Sequence, residues 1–300
     1  MNTPNVMSRR HTPSGPVKAV SVVSTGTVEI HPEHRFGSRM PPYWWLLTSR
    51  SWTPPLPINA YVIEHSQGLV LFDTGQDRAS VTDRRYFPGG FTGFIYSRLA
   101  RFQIGEEDTL AAKLATLGYS ITDVRMTILS HLHQDHIGGL SELTSANLFV
   151  ADAEWKELSR AAPEARGFLR KHIEISGLKW KQIDFESTED PSLSPFTKSY
   201  DLMGDGSLVL LPTPGHTSGS MSLLVRRGPK PPLLLVGDLT YGAEILERGD
   251  VPGIGARRLL RESSEKVMQL RMAMPDLVIL PAHDPTAAQR LLESERRQDI

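Results

Sequence analysis

Residues 130–139 read SHLHQDHIGG. Three imidazoles and a carboxylate, His131, His133, Asp135 and His136, stand close together in a chain with ten histidines in all and no cysteine. Side chains alternate along an extended stretch, so His131 and His133 point the same way and can meet one cation. Asp135 and His136 fall where the chain is expected to turn into a helix, facing a second cation. Gly138 and Gly139 let the backbone turn tightly and pack close to such a site. Neutral imidazole and carboxylate oxygen suit zinc, and also iron, manganese or cobalt. The competing reading is a chance group of polar side chains on a loop.

Working outward, the cluster follows VRMTILS, which reads as a short buried strand. Three more candidate ligands follow strand-like runs in the same way: His216 in TPGHTSGS, Asp238 in VGDLTY and His283 in LPAHDP. Strand ends are where an α/β sheet places its site. Seven ligands exceed what one zinc takes, so a pair of ions is expected. His131, His133 and His216 would hold the first ion, and Asp135, His136 and His283 the second. Asp238 would bridge them, since a carboxylate offers one oxygen to each.

The order HxHxDH, PGHT, GD and a late histidine resembles the metallo-β-lactamase superfamily over about residues 58 to 285. That resemblance implies a four-layer αβ/βα sandwich with two divalent metal ions, zinc first among them, at one edge of two packed sheets. Within the superfamily, Asp238 is similar to the bridging aspartate of hydrolases such as glyoxalase II, RNase Z and lactonases. Tyr241 in DLTY resembles the tyrosine of N-acyl-homoserine lactonases, whose hydroxyl points at the lactone carbonyl; the plainer reading is a tyrosine packed in the core. The expected activity is opening of an N-acyl-L-homoserine lactone by hydroxide, with Asp135 and Tyr241 as catalytic residues. Asp135 would pass a proton to the leaving alkoxide. Alternatives are an esterase, an organophosphate or phosphodiester hydrolase, a glyoxalase II-like thioesterase, or a metal-binding regulator without catalysis.

Composition narrows the partners. Among 300 residues, 33 are Lys or Arg and 34 Asp or Glu, giving a net charge of -1. Without a basic run, a nucleic-acid partner is not expected. No apolar stretch is long enough for a membrane span, and residues 1–15 read as a disordered tail without a signal sequence, so a cytoplasmic protein is expected. Residues 16–300 read as one hydrolase domain that is alternately strand and helix. VKAVSVVSTGTVEI reads as a strand, or a hairpin about Thr25-Gly26. Residues 31–57 read as a proline-rich aromatic loop, neither regular strand nor helix. A hairpin is expected about Ser66-Gln67-Gly68, with His65 solvated at its turn, and a helix after an Asp108 N-cap. His172 reads as an isolated surface residue. Trp45, Phe87 and Phe91 are candidates to hold the acyl chain of a small-molecule lactone, or to form the interface of a homodimer.

Overall fold

The structure is a computed structural model that describes residues 15–296. Apart from Gly15, the tail expected over residues 1–15 lies outside the described residues. The strands are β1 (Val17–Ile30), β2 (Leu56–His65), β3 (Gly68–Phe72), β4 (Ala100–Gln103), β5 (Val124–Ile128), β6 (Asn147–Ala151) and β7 (Lys179–Ile183). There follow β8 (Glu186–Ser187), β9 (Lys198–Asp201), β10 (Leu208–Pro212), β11 (Met221–Arg227), β12 (Lys230–Leu235) and β13 (Val278–Leu280). Seven strands form one sheet, ordered β4-β1-β2-β3-β5-β6-β7, and six form the other, ordered β13-β12-β11-β10-β9-β8.

Period-two alternation assigns each apolar run to two layers at once. In β3, Val70 and Phe72 face the space between the sheets while Leu69 and Leu71 face outward. In β10, Leu208 and Leu210 face inward and Val209 and Leu211 outward. Both faces are covered, which is why these strands read as unbroken apolar runs. Leu110 and Leu114, on the helix Leu110–Thr116, cover the first sheet. The helix Arg257–Ala273 covers the second through Leu260, Val267 and Leu270. The result is four layers, helix–sheet–sheet–helix. Among the described residues no helix is long and apolar enough to cross a membrane.

Strand direction gathers the motifs at one edge. β3, β5 and β6 run parallel, as do β12 and β13. The two sheets are tied there by backbone bonds from Met221 N to the Ser130 carbonyl (3.0 Å) and from Asn59 N to the Ala282 carbonyl (2.9 Å). Gly138 allows a close approach: a Cβ there would sit 2.2 Å from Asp77 N.

Several local expectations are corrected. β1 is one strand, not a hairpin; its register slips between Ser24 and Thr27, where Gly26 adopts φ 109° and a bulge takes the place of a turn. Residues 31–57 contain two short helices, Pro32–Phe36 and Pro42–Thr48, each with proline in its first turn, where no amide donor is required. Thr109, not Asp108, caps the helix Leu110–Thr116, accepting from Ala112 N. After His133 the chain makes a tight turn, with His136 N bonded to the His133 carbonyl at 3.1 Å, instead of entering a regular helix. His65 is buried against Ser207 Oγ (3.0 Å) and Asp205 (3.6 Å). His172 is half-buried and stacks on Tyr86 with ring centres 4.0 Å apart.

Candidate metal centre

The folded chain brings seven predicted ligands to that edge. The ligand atoms of His131, His133 and His216 lie within 4.8 Å of one another, and so do those of Asp135, His136 and His283. Asp238 stands between the two groups. Its Oδ2 is 3.6 Å from His216 Nε2, and its Oδ1 is 3.3 Å from both His136 Nε2 and His283 Nε2. One oxygen therefore faces each trio.

The donor set fits cations. His131 Nε2, His136 Nε2 and Asp238 Oδ1 are buried and have no hydrogen-bond partner. Buried polar atoms are ordinarily paired, so unpartnered nitrogens and a carboxylate oxygen converging on one point call for a positive group between them. In three of the histidines the other ring nitrogen is committed outside the cluster, while His133 Nδ1 meets His216 Nε2 at 2.9 Å and His216 Nδ1 has no partner. His136 Nδ1 bonds Asp73 Oδ2 at 2.8 Å, and His283 Nδ1 bonds the Pro57 carbonyl at 2.9 Å. His131 Nδ1 meets Ser130 Oγ at 3.0 Å, and that hydroxyl donates to Asp73 Oδ2 at 2.8 Å. In the neutral rings these bonds place the hydrogen on Nδ1, so that Nε2 can offer a lone pair to a cation. Asp73 thus steadies a histidine from each trio, although its own sequence context, FDTG at a strand end, carried only a positional signal.

Protonation divides the cluster. Burial, reinforced by neighbouring histidines, holds His131 well below the usual imidazole range, and burial does the same for His216. Burial also opposes charge on His136 and His283, but the Asp238 carboxylate outweighs it, helped by Asp73 for His136 and by Asp135 for His283, so both are raised. Burial would raise Asp238, yet His283 and His136 hold it well below the carboxylate range. Without a cation, then, these two rings favour their protonated forms, so a proton and a metal ion compete for the same nitrogens.

A second carboxylate organises the loops. Glu154 is buried, and its Oε1 accepts from Leu132 N at 2.9 Å. Its Oε2 accepts from Thr217 Oγ1 (2.6 Å) and Gly219 N (3.1 Å). It joins the loop carrying His131 and His133 to the loop carrying His216. Burial pushes its carboxyl up to about 7, against the pull of those bonds.

Tyr241 is buried, with its ring stacked on His283 at 5.4 Å. Its hydroxyl lies 3.2 Å from Asp238 Oδ2 and 2.8 Å from His34 Nε2. His34 lies in the segment read as structureless and carried no signal of its own. Burial first, then Asp238, raises the phenol well above its ordinary value, so it stays protonated.

A cavity of about 360 Å³ opens onto the cluster. His133, Asp135, His216, Asp238, Tyr241 and His283 line its polar end; Val28, Ile30, Leu46, Ile95, Leu99 and Phe102 give it apolar walls. Phe91 lies on its rim, 74% exposed. Trp45 is not on the wall: it is fully buried behind it, against His31 and His34. Phe87 also stands behind, packed on Tyr86, Tyr96 and Phe102.

Comparison with known proteins gives the same picture. The model of the family described as the metallo-beta-lactamase superfamily matches residues 53–283. An N-acyl homoserine lactonase of Rhizobium radiobacter is 31% identical over 235 residues, covering 77% of this chain and 83% of the relative. One from a Bacillus species is 30% identical over 230 residues, covering 76% and 82%. In three dimensions, an N-acyl homoserine lactone hydrolase solved with N-hexanoyl-L-homoserine at its catalytic metal centre superposes with a TM-score of 0.70. It is 23% identical, and the match covers 95% of this chain and 96% of that one.

Proposed function

The chain belongs to the metallo-β-lactamase superfamily, and from that premise we propose that it is a metal-dependent hydrolase that opens the ring of N-acyl-homoserine lactones. The observation that carries this is the position of Asp238, with one oxygen towards each histidine trio and a tyrosine hydroxyl at 3.2 Å, at the polar end of an apolar-walled cavity. An acyl lactone has that shape: one small ester at the end of an apolar chain. The walls argue against a phosphodiester or a glutathione thioester. Arg166 is the one Lys or Arg among the described lining residues, and Glu157 already engages its guanidinium.

His131, His133 and His216 would hold one cation and Asp135, His136 and His283 the other, with Asp238 between; zinc is the proposed ion for these nitrogen and oxygen donors. When bound, the pair supplies Lewis acidity and a water acidic enough to ionise near neutral pH. Tyr241, kept protonated by burial, donates to the carbonyl oxygen as negative charge develops there. Asp135, less buried than His136 and His283 and facing the cavity, moves a proton from the attacking water to the leaving alkoxide. The apolar walls hold the acyl chain and exclude water from the ester.

The test is acid release from hexanoyl- and dodecanoyl-homoserine lactone by purified protein containing about two metal ions per chain. Turnover should vanish with a chelator and return with zinc. Tyr241→Phe should keep its metals and slow turnover roughly 100-fold, the usual effect of removing one oxyanion donor. A fully loaded protein that leaves both lactones intact would refute the proposal.

A further inference from the structure

The Tyr241 hydroxyl has one proton and two partners, and counting hydrogens settles how it is shared. Asp238 Oδ2, at 3.2 Å, can only accept. His34 Nε2, at 2.8 Å, can accept or donate, depending on which ring nitrogen carries the hydrogen. Suppose Nε2 accepts. The phenol proton is then used up on His34, and the Asp238 oxygen faces a bare phenol oxygen. The imidazole hydrogen sits on Nδ1, which is buried without a partner. Suppose instead that Nε2 donates. Every hydrogen is then bonded, and only a lone pair on Nδ1 stays unused. Nδ1 lacks a partner either way, so the arrangement that adds a charge-assisted hydrogen bond from the phenol to Asp238 prevails.

We propose that His34 is a positioning residue for Tyr241: its Nε2–H donates to the phenol oxygen and turns the hydroxyl proton towards Asp238 and the reacting centre. His34 is held for this role. His34 N bonds the His31 carbonyl at 2.9 Å, and its own carbonyl accepts from Gly253 N at 2.8 Å. The ring meets Tyr241 edge-on, with centres 5.2 Å apart and planes at 78°. Burial lowers its pKa to about 3, so the ring is neutral and has a single hydrogen to place. The relay runs His34 N–H to Tyr241 O–H to Asp238, each donor strengthening the next. A substrate carbonyl need only replace Asp238 as the last acceptor.

This inference rests on the reading that Tyr241 donates to the carbonyl oxygen, and two measurements keep the two apart. Nitrogen-15 NMR of the zinc-loaded protein without substrate reads the tautomer directly. The Nε2–H form is expected, and the Nδ1–H form would overturn the inference whatever the enzyme turns over. Kinetics reads the consequence. His34→Leu should lower kcat by about 10-fold with KM changed by less than about 3-fold and metal content unchanged, a loss within reach of one neutral hydrogen bond. His34→Gln, whose amide N–H can donate to the same oxygen, should recover most of kcat. In a Tyr241→Phe background, His34→Leu should cost nothing further. Equal loss in His34→Leu with and without Tyr241, or no rescue by glutamine, would also overturn it. A wild-type rate for Tyr241→Phe alone would instead refute the role given to Tyr241 and leave the tautomer as a separate result.

Discussion

Replacing Asp73 with asparagine isolates the support given to both metal positions by one carboxylate. Asp73 is 1% exposed and accepts three hydrogen bonds. They come from Ser130 N at 2.7 Å, Ser130 Oγ at 2.8 Å and His136 Nδ1 at 2.8 Å. Through Ser130 it also polarises His131 Nδ1 at 3.0 Å. Its backbone adopts φ 62°, a region asparagine tolerates far better than alanine, so Asp73→Asn suits the backbone there while removing the charge and one acceptor. In the variant, an amide NH₂ takes the place of one carboxylate oxygen. If it replaces Oδ2 it confronts the His136 N–H and the Ser130 O–H; if it replaces Oδ1 it confronts Ser130 N–H.

Either orientation loses a charge-assisted bond, worth roughly 1.5–3 kcal/mol, which is about 10- to 100-fold in an equilibrium constant at ~1.4 kcal/mol per decade. The same range is expected when a partner of a metal-binding histidine is lost. Competition against a chromogenic chelator would measure the two stepwise zinc affinities. The ion of the His136 trio should weaken about 10- to 100-fold, and that of the His131 trio less, since Ser130 stands between. Ser130→Ala should weaken only the latter. If Asp73→Asn bound both ions within about 3-fold of the parent protein, the claim that this carboxylate orients the two histidines would fail.

Metal loading should release protons. His136 and His283 are raised in the metal-free chain and must be neutral to bind a cation, so at pH 6 loading should expel about two protons, and affinity should fall as pH falls. Calorimetry in buffers of differing ionisation enthalpy checks this, and a buffer-independent heat contradicts it. Glu154→Ala should be destabilising, by about 2–6 kcal/mol in urea unfolding, because Leu132 N and Gly219 N each lose a buried acceptor at ~1–3 kcal/mol apiece, while the Thr217 hydroxyl keeps Ser220. A loss below ~1 kcal/mol would mean that water replaces the carboxylate.

The seven candidate ligands were legible because they follow four strands, each close to a strand end. His131, His133, Asp135 and His136 share one turn, and His216, Asp238 and His283 each follow an apolar run whose direction the fold preserves. What supports them was not legible, because those contacts join distant positions. His34 and Tyr241 are 207 residues apart, Asp73 and His136 63, and Glu154 and Gly219 65. No local pattern announces such a partner. Aromatic composition misled for a related reason. On the helix Pro42–Thr48, Trp45 and Leu46 are buried while Tyr43, Trp44 and Leu47 are exposed, and a seven-residue helix is too short to show its faces in sequence. His65 likewise reads as a turn residue until the second sheet brings Ser207 against it.

A buried loop is an awkward place for a catalytic centre, since its amides lack the ladder that satisfies a strand. Here carboxylates outside the central Asp238 fill that gap, one beside each motif. Asp73 takes Ser130 N, and Glu154 takes Leu132 N and Gly219 N. Asp284, next to His283, takes Thr286 N and also Ala243 N beyond Tyr241. Each acid ties down a loop that carries a candidate ligand, so strand-end precision is transmitted to those side chains. The same three groups are acceptors, buried at 1% or less, and they surround a cluster whose own charges are Asp135 and Asp238. Ionised carboxylates there, in place of neutral amides that could cap the same loops, bias the potential of the pocket towards cations, and Glu154, raised to about 7 by burial, adds its charge only above that pH. Loop order and metal affinity therefore rest on the same residues, and a change that neutralises one of these acids should weaken both together.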